Sequence, residues 1–293
     1  MRLFLANSGR PDPDRVDRNQ QSDQAFVGFT DFVRRLLSEQ GPSLMVFAFD
    51  ESLKTSARKQ IYPDYKANRA PAPDSLKRQF GWCRQWLEAL GLSAVSSESW
   101  EADDLIGSLA RYHRKPDRPV VILTADKDLA QLLHEQDIWW SFLDDKRLDY
   151  RGVIKKFGVR PDQIADQLAL TGDKVDNIPG VPGVGQKTAA RLLKKYDSLA
   201  RLYQHLGEVG EMKFRYSGQV QASLIEHCEQ LKTSARLTRI NCNIEAMEKV
   251  CLRRGRVDED RLQQMMDEHD FEPARRRNWE KLMNMMADAV LDS

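Results

Sequence analysis

The sequence predicts an α/β fold with a central, mainly parallel sheet flanked by helices. The apolar runs RLFL, LMVFAFD and PVVILTAD have the composition of short buried strands, and AFVGFTDFVRRLL and LKRQFGWCRQWLEAL, which lie between them, have helical spacing. Strands that alternate with helices form a parallel sheet covered on both faces. From about residue 151 the strand signal fades, and RGVIKKFGVRPDQIADQLALTGD, QKTAARLLKKY and QASLIEHCEQLKTSARL indicate helices joined by Gly and Pro turns.

Length and composition narrow the protein class. A chain of 293 residues with 41% hydrophobic content can bury a substantial core. Its four cysteines have neither C-x-x-C pairing nor histidines at ligand spacing, so neither a disulfide framework nor a zinc site is indicated. No window is apolar enough for a signal peptide or a membrane span. We therefore expect a soluble cytoplasmic protein, and the net charge of +1 does not by itself indicate nucleic acid.

Carboxylates follow the predicted strands and open the predicted helices. A parallel sheet presents the carboxyl ends of its strands at one edge, where α/β proteins place their sites. Taken alone, EADD or TADKD equally suits helix capping. Eight acids at four such places exceed what capping needs: Asp50, Glu101, Asp103, Asp104, Asp126, Asp128, Asp173 and Asp176.

Carboxylates that converge in one crevice repel one another unless hard cations neutralise them. Mg²⁺ or Mn²⁺, as two ions, is the predicted cofactor. Such a pair suits in-line displacement at phosphorus, which is phosphodiester hydrolysis. P-loop, zincin, nucleophile-elbow and kinase signatures are absent from the sequence.

The segment IPGVPGVGQKTAARLL has the features of a phosphate-binding turn. Gly180, Gly183 and Gly185 permit close backbone approach, and the helix that opens near Gln186 points free N–H groups at an anion. Lys187 and its basic neighbours add positive charge. A hairpin of two helices around such a turn grips the sugar-phosphate backbone without reading bases. The alternative is a plain packing hairpin.

Residues 51–80 are basic and contain interleaved tyrosines. Basic groups with aromatics suit a strand whose phosphates need neutralising and whose bases can stack. The alternative is a solvated charged loop. The basic side chains include Arg58, Lys59, Lys66 and Arg69, and the tyrosines are Tyr62 and Tyr65.

Together these motifs resemble the bacterial and phage 5′ nuclease family, the flap endonuclease-like 5′→3′ exonucleases that include the N-terminal domain of DNA polymerase I. The resemblance covers residues 44–200 through VFAFD, YPDYKANRAP, EADDLIGSLA, LTADKDLAQLL and LTGDKVDNIPGVPGVGQKTAARLL. It implies a PIN-like nuclease core over residues 1–165, with a helical arch at about 51–80. It also implies a helical DNA-binding region over residues 166–293, with a helix-hairpin-helix at about 176–196.

The resemblance also implies site roles. Asp50, Glu101, Asp103 and Asp104 would serve one metal ion, and Asp126, Asp128, Asp173 and Asp176 the other. The residues implied to steer the scissile phosphate are Arg58, Tyr65, Lys66 and Arg69. Duplex contacts are implied for Lys59, Gly183, Val184, Gly185, Lys187 and Thr188, with a possible K⁺ at the turn.

One position departs from the family pattern. The first strand normally ends in a metal-binding Asp, and RLFLANSG places Asn7 there. An amide oxygen ligates a hard cation without adding charge, so metal affinity should weaken. Either the remaining acids suffice, which we favour, or Asp12, Asp14 or Asp17 substitutes, or the protein binds DNA with little cleavage. If Asn7 is in the site, Asn7→Asp should lower the Mg²⁺ concentration needed for cleavage.

The leading predicted function is a structure-specific 5′ nuclease acting in DNA replication or repair. Its expected substrate is DNA with a 5′ flap or 5′ end, with RNA primers as further substrates, and we expect a monomer. The alternatives are a DNA-junction binding protein with weak or no cleavage, motivated by Asn7, and a metal-dependent ribonuclease with the same acidic core.

Overall fold

The computed structural model describes residue 17 and residues 22–51, 56–142 and 144–291, with side chains described to residue 286. Asn7, the predicted strand RLFL and most of the polar segment at 8–24 lie outside the described residues. No helix in these ranges has the length and apolar character needed to cross a bilayer.

Helices dominate the described chain. α1 (Gln24–Gln40) ends at Gly41, whose left-handed backbone lets its N–H bond the carbonyl of Leu37. The predicted helix QKTAARLLKKY is confirmed without change as α7. The other α-helices are α2 (Ala57–Ile61), α3 (Asp74–Ala89), α4 (Ala102–His113), α5 (Tyr150–Phe157), α6 (Ile164–Thr171), α7 (Gln186–Tyr196), α8 (Leu199–Gln204), α9 (Ser217–Glu226), α10 (Cys228–Thr238), α11 (Glu259–Glu268) and α12 (Pro273–Leu291).

Two predicted helices are shorter than their sequence patterns. The pattern over 151–173 is divided between α5 and α6, because Gly158 adopts a left-handed conformation and ends α5. The pattern over 221–237 is divided between α9 and α10 at His227, which closes one helix and opens the next. The first break takes up residues 158–163 and the second only His227, and helical periodicity detects neither.

The described strands form two small sheets where the sequence predicts one central sheet. β1 (Val46–Asp50) pairs with β2 (Ser93–Ser97). β3 (Val121–Leu123) pairs in parallel with β4 (Ile138–Ser141), and β4 pairs antiparallel with β5 (Lys146–Leu148). The α/β class is confirmed, and β4 and β5 were not predicted because both are too short to form a clear apolar run.

The chain divides into two compact units. The first takes its residues from Met1–Phe47, Pro71–Val95 and Val250–Ser293, and the second from Ala48–Ala70 and Ser96–Lys249. Residue 165, the predicted domain boundary, lies inside the second unit in α6. All eight predicted metal-binding acids belong to the second unit, so the candidate site can be described within it.

Each unit has its own core. In the first unit Trp86 lies 5.0 Å from Trp279 between ring centroids, and Phe26 packs edge-on against Trp86. In the second unit one cluster runs from Ile122 of β3 through Leu170 of α6 to Leu192 of α7. The core of the second unit therefore fixes the strand ends and the glycine turn to one framework.

The predicted arch segment differs from an exposed basic loop. Between residues 56 and 70 it forms only α2 and a series of turns. Arg58, Tyr65 and Lys66 are buried, whereas the sequence suggested basic side chains facing a nucleic-acid strand. In this buried position their polar groups pair with Glu101 and Asp104, which are described below.

Candidate functional site

Several of the predicted acids also close the local structure around them. Asp50 ends β1, and its Oδ1 accepts the N–H of Ala102, the first residue of α4, at 2.7 Å. Asp126 accepts the N–H of Asp128 at 2.9 Å and so caps the 3₁₀ helix Lys127–Leu132. Capping and a further role are therefore compatible at the same side chains.

Acids from three separated chain segments line one pocket. Gln131 and Thr238 also line it, and neither was predicted: Gln131 lies inside the motif LTADKDLAQLL but carries no charge, and Thr238 lies far from any motif. The charged and phenolic residues around the pocket are Arg58, Tyr65, Glu101, Asp103, Asp128, Asp173 and Asp176. Folding thus brings together charged side chains that are up to 118 positions apart, from residue 58 to residue 176.

Asp103 shows the electrostatic result of this convergence. Burial and, after it, the negative charges of Asp126 and Asp50 raise the pKa of its carboxyl group to about 8. Asp50, Asp103 and Asp126 come from three different strand or helix ends. Their interaction confirms that these ends lie close together.

Asp128 belongs to an adjoining group of acids. Burial and, after it, the negative charges of Asp126, Asp173 and Asp176 raise its pKa to about 7. Its Oδ1 is buried and has no hydrogen-bond partner among the residues that the structure describes. A buried carboxylate oxygen without a donor is costly, and a cation is one group that would satisfy it.

Lys66 provides the positive charge that the centre of the site requires. Its Nζ lies 2.8 Å from Oε2 of Glu101 and 3.7 Å from Oδ2 of Asp176. Although burial by itself lowers the pKa of Lys66, the two carboxylates raise it above its ordinary value. Burial by itself raises the pKa of Glu101, but Lys66 and Arg58 bring it below its ordinary value.

Tyr65 and Arg69 complete this arrangement. The hydroxyl of Tyr65 lies 3.0 Å from Oε2 of Glu101 and 3.2 Å from Oδ2 of Asp176, and can donate to either. Burial, followed by the Glu101 charge, raises the pKa of Tyr65, so the phenol stays protonated. Arg69 binds the other oxygen of Asp176 through Nη2. Asp176 therefore contacts three side chains of the turn at residues 65–69, those of Tyr65, Lys66 and Arg69.

Arg58 and Asp104 form a buried two-bond ion pair. The guanidinium donates to both carboxylate oxygens at 2.6 and 2.8 Å and to the carbonyl oxygen of Leu237 at 2.9 Å. Asp104 also accepts the backbone N–H of Asn241 at 2.8 Å. Both oxygens of Asp104 are therefore occupied by donors in this arrangement.

The carboxylates of the site are the ligands that a hard divalent cation prefers, but in this arrangement they are not spaced to hold one. Within the described ranges, no three Asp, Glu, His or Cys side chains are grouped so that they could hold an ion. Lys66, Arg58 and Arg69 neutralise Glu101, Asp104 and Asp176 instead. The bare Oδ1 of Asp128, together with the burial and repulsion that raise the pKa values of Asp103 and Asp128, favours the binding of positive charge here.

The glycine turn is a separate structure of the second unit. The N–H of Val184 donates to the carbonyl of Val181 at 3.0 Å, with Pro182 and Gly183 between them, and Gly183 has φ +79°. This is the arrangement of a type II turn, which requires a positive φ at its third residue. Val184 is buried, while Gly183 and Gly185 are exposed. The backbone at Gly183 and Gly185 is therefore open to solvent, while the buried side chain of Val184 holds the turn against the core.

α7 begins directly after this turn. It has no acidic residue in its first turn and no side-chain cap on its first N–H groups. Lys187 is exposed and Thr188 is half-buried on the same turn of helix, and Lys59 of α2 is also half-buried. The helix pair that brackets the turn consists of α6 and α7, so it begins at Ile164, earlier than the predicted 176.

Two family models together cover most of the chain. Residues 1–158 match the model described as 5′-3′ exonuclease, N-terminal resolvase-like domain. Residues 159–259 match 5′-3′ exonuclease, C-terminal SAM fold. The second match agrees with the helical character of the C-terminal half.

Two relatives illustrate the similarity in sequence. The chain is 42% identical to DNA polymerase I of Pseudomonas aeruginosa over 222 residues, which are 75% of this chain and 24% of that protein. It is 41% identical to a 5′-3′ exonuclease of Aquifex aeolicus over 181 residues, 62% of each protein. The chain therefore spans about a quarter of the length of the polymerase relative.

Solved structures share the fold at low identity. The T5 5′-exonuclease with bound zinc aligns with a TM-score of 0.62 and 18% identity, over 81% of this chain and 90% of that chain. The catalytic core of Rad2 in complex with DNA substrate aligns with a TM-score of 0.60 and 14% identity, over 90% of this chain and 86% of that chain. At these identities the comparison establishes the fold.

Proposed function

The chain belongs to the 5′-3′ exonuclease family, and from that premise we propose that it hydrolyses phosphodiester bonds at 5′ ends or 5′ flaps of duplex DNA with two divalent metal ions. The observation that carries this proposal is the group of acids from four chain segments, in which burial and then mutual repulsion raise the pKa values of Asp103 and Asp128. Repelling carboxylates in one pocket are costly to a protein that has no cation to place among them.

Each half of the acidic group would hold one ion, Mg²⁺ or Mn²⁺. The first half is Asp50, Glu101, Asp103 and Asp104, and the second is Asp126, Asp128, Asp173 and Asp176. When bound, such a pair supplies an activated water and stabilises charge on the entering and leaving oxygens. Asp103 and Asp128 are the members best suited to ligation, because among the described residues no cationic side chain is bonded to either and the pKa values of both are raised by burial and by neighbouring acids.

The turn at residues 65–69, which carries Lys66 and Arg69, would guide the scissile phosphate. Lys66 and Arg69 are held by carboxylates in this arrangement, and a divalent ion that took over those carboxylates would release both side chains toward an incoming phosphate. Tyr65 would hold the Glu101 carboxylate in position by its hydroxyl. Arg58 has the same proposed role through Asp104, and its position is fixed by the carbonyl of Leu237.

The glycine turn would bind the duplex at a distance from the acids. The exposed backbone of Gly183 and Gly185, together with Lys187, Thr188 and Lys59, suits sugar-phosphate contacts that position DNA without reading its sequence. A K⁺ at the turn would add one positive charge there and so strengthen its attraction for a backbone phosphate. The spacing between turn and acids would then set where the strand is cut.

A 5′-labelled flap substrate tests the proposed activity. Cleavage should require Mg²⁺ or Mn²⁺, stop in EDTA and vanish in Asp126→Ala, whereas Asp117→Ala, at an exposed position outside the acidic group, should cleave normally. An RNA–DNA flap and single-stranded RNA in parallel reactions would define the substrate class. Cleavage that is insensitive to both EDTA and Asp126→Ala would refute a metal-dependent reaction at these acids.

One alternative function has a specific observation in its favour. Asn7 adds no charge where the family has an acid, so the protein would then be a DNA-junction binding protein with weak or no cleavage. This alternative predicts that the wild-type protein binds the flap tightly without metal-dependent cleavage, and that Asn7→Asp restores the cleavage. Wild-type cleavage that Asn7→Asp leaves unchanged in its Mg²⁺ dependence would exclude this alternative.

A further inference from the structure

A basic, aromatic segment, MKFRY at residues 212–216, precedes α9 in the second unit. Met212 and Phe214 are partly buried and pack against the main core, whereas Lys213 and Arg215 are exposed. Because buried and exposed side chains alternate, the apolar ones attach the segment to the core while both cationic ones face solvent. Neither cation forms an ion pair with a residue of the described ranges.

Tyr216 lies at the end of this segment and is exposed to 54%, although it is a large aromatic side chain. Its φ of +69° places a bulky residue in the left-handed region, which favours glycine. The guanidinium carbon of Arg215 lies 4.5 Å from the centroid of the Tyr216 ring. A cation and an exposed ring are thus held side by side at the surface.

The segment is rigidly connected to the start of α9. Ser217 Oγ donates to the carbonyl of Gly210 at 2.8 Å, and the N–H of Gly210 donates to Oε1 of Gln221 at 2.5 Å. Because the side chains of α9 bind the chain before it, Lys213 to Tyr216 cannot move independently of the helix.

α9 is also tied to the glycine turn. Ser223 Oγ donates to the carbonyl of Pro182 at 2.9 Å. Tyr216 precedes Ser223 by seven residues, which at 1.5 Å per residue is roughly 10 Å along the helix. In B-DNA, where phosphates of one strand are spaced about 3.4 Å along the axis, this distance corresponds to about three base pairs.

We propose that Lys213, Arg215 and Tyr216 form a second contact with the duplex that the glycine turn holds, a proposal that rests on the proposed function. Lys213 and Arg215 bind backbone phosphates, and the Tyr216 ring packs on the adjoining sugar. The contact is independent of base sequence, because none of the three side chains needs a base edge. It lengthens the duplex footprint by about three base pairs beyond the glycine turn.

The salt dependence of DNA binding tests this contact. We would measure the affinity of the full-length protein for flap DNA in Ca²⁺, which replaces Mg²⁺ to limit cleavage, between 50 and 200 mM salt (both set by design). The variants are the double substitution Lys213→Ala and Arg215→Ala, Tyr216→Gly and Tyr216→Phe. The matched control is Lys249→Ala, an equally exposed lysine of the 3₁₀ helix Glu245–Lys249 that packs on α4.

The double variant should reduce the slope of log affinity against log salt concentration by about 0.9 for each of the two lost phosphate contacts. Tyr216→Gly should weaken binding severalfold with the slope unchanged, and Tyr216→Phe should bind like wild type, since the ring remains. Glycine adopts a positive φ more readily than tyrosine does, so Tyr216→Gly should not destabilise the fold. Thermal denaturation checks this, and an unchanged melting temperature shows that reduced binding is not due to unfolding.

The outcomes separate this inference from the function on which it rests. A double variant with the wild-type slope, in a protein that cleaves flaps with metal, would overturn the second contact and leave the nuclease proposal standing. A slope reduced equally by Lys249→Ala would also overturn it, because the effect would then be general charge. Wild-type protein that neither binds nor cleaves the flap would refute both proposals.

Discussion

At the scale of single residues, Lys66 does most to explain why the acids are tolerated without a metal ion. Its backbone has a φ of +56°, in a region that a lysine rarely adopts, and its side chain is buried. That conformation brings Nζ to Glu101 and Asp176 together. The ammonium group therefore occupies the electrostatic position that a divalent ion would have in the proposed reaction.

Replacing Lys66 by methionine should separate the two roles of this residue. Metal-free stability should fall by about 3 kcal/mol, because the buried Glu101 charge loses its partner. Mg²⁺ should then bind more tightly, since no ammonium competes for the carboxylates, while flap cleavage falls. Urea unfolding in EDTA and calorimetric Mg²⁺ titration measure both effects, with Lys59→Met as control. Unchanged Mg²⁺ affinity would show that Lys66 does not compete with metal.

Asp103 should make the metal-free protein less stable at alkaline pH. The folded protein keeps the Asp103 proton up to about pH 8, whereas an ordinary aspartate loses it near 3.8. The folded state therefore binds more protons between these values, and the free energy of unfolding falls as pH rises through this window.

Asp103→Asn should remove that dependence and stabilise the metal-free protein at pH 8 by about 2 kcal/mol, with little effect at pH 4. Urea unfolding in EDTA at the two pH values measures the change, and Asp117→Asn, at an exposed position, is the control. An equal loss of stability with pH in wild type and Asp103→Asn would contradict the raised pKa.

At the scale of elements, the glycine turn shows three different reasons for a glycine. A Cβ on Gly180 would lie 2.3 Å from the carbonyl carbon of Thr171, so the backbone must approach there. Gly183 has open space around it but a positive φ. Gly185 has open space and an ordinary φ of −92°. Only the first two are structural requirements, and Gly185 is free to serve a phosphate.

Alanine at these three glycines should give graded losses of stability. We expect about 3 kcal/mol for Gly180→Ala because of the overlap, about 1 for Gly183→Ala because of the left-handed backbone, and within about 0.5 for Gly185→Ala. Chemical denaturation measures the series. Equal losses at all three positions would contradict the turn geometry described above.

Features that depend on local sequence could be predicted, whereas contacts between distant segments could not. Helices such as α3 and α7 follow from a local 3.6-residue period, and the acidic strand ends follow from local motifs. The bond from Arg58 to the carbonyl of Leu237 joins residues 179 positions apart, and nothing local encodes it. For the same reason the sequence suggested that Arg58 and Lys66 face nucleic acid, whereas folding buries them against acids.

At the scale of the whole molecule, net charge conceals the feature that matters. The chain carries a formal charge of only +1, yet within one of its two compact units acids from four segments repel one another strongly. The family is evident from ordered motifs in that unit. The neutralisation of three of the acids, by Arg58 of α2 and by Lys66 and Arg69 of the following turn, required the structure, because ion pairing depends on side-chain directions.

Anomalous diffraction from crystals of the full chain soaked in Mn²⁺ tests the central claim most directly. We expect Mn²⁺ peaks in the pocket, one contacted by Asp103 and another by Asp128 and Asp173, with Lys66 displaced from Glu101. Crystals that show no Mn²⁺ in this pocket, or Mn²⁺ only at carboxylates outside the eight acids, would contradict the account.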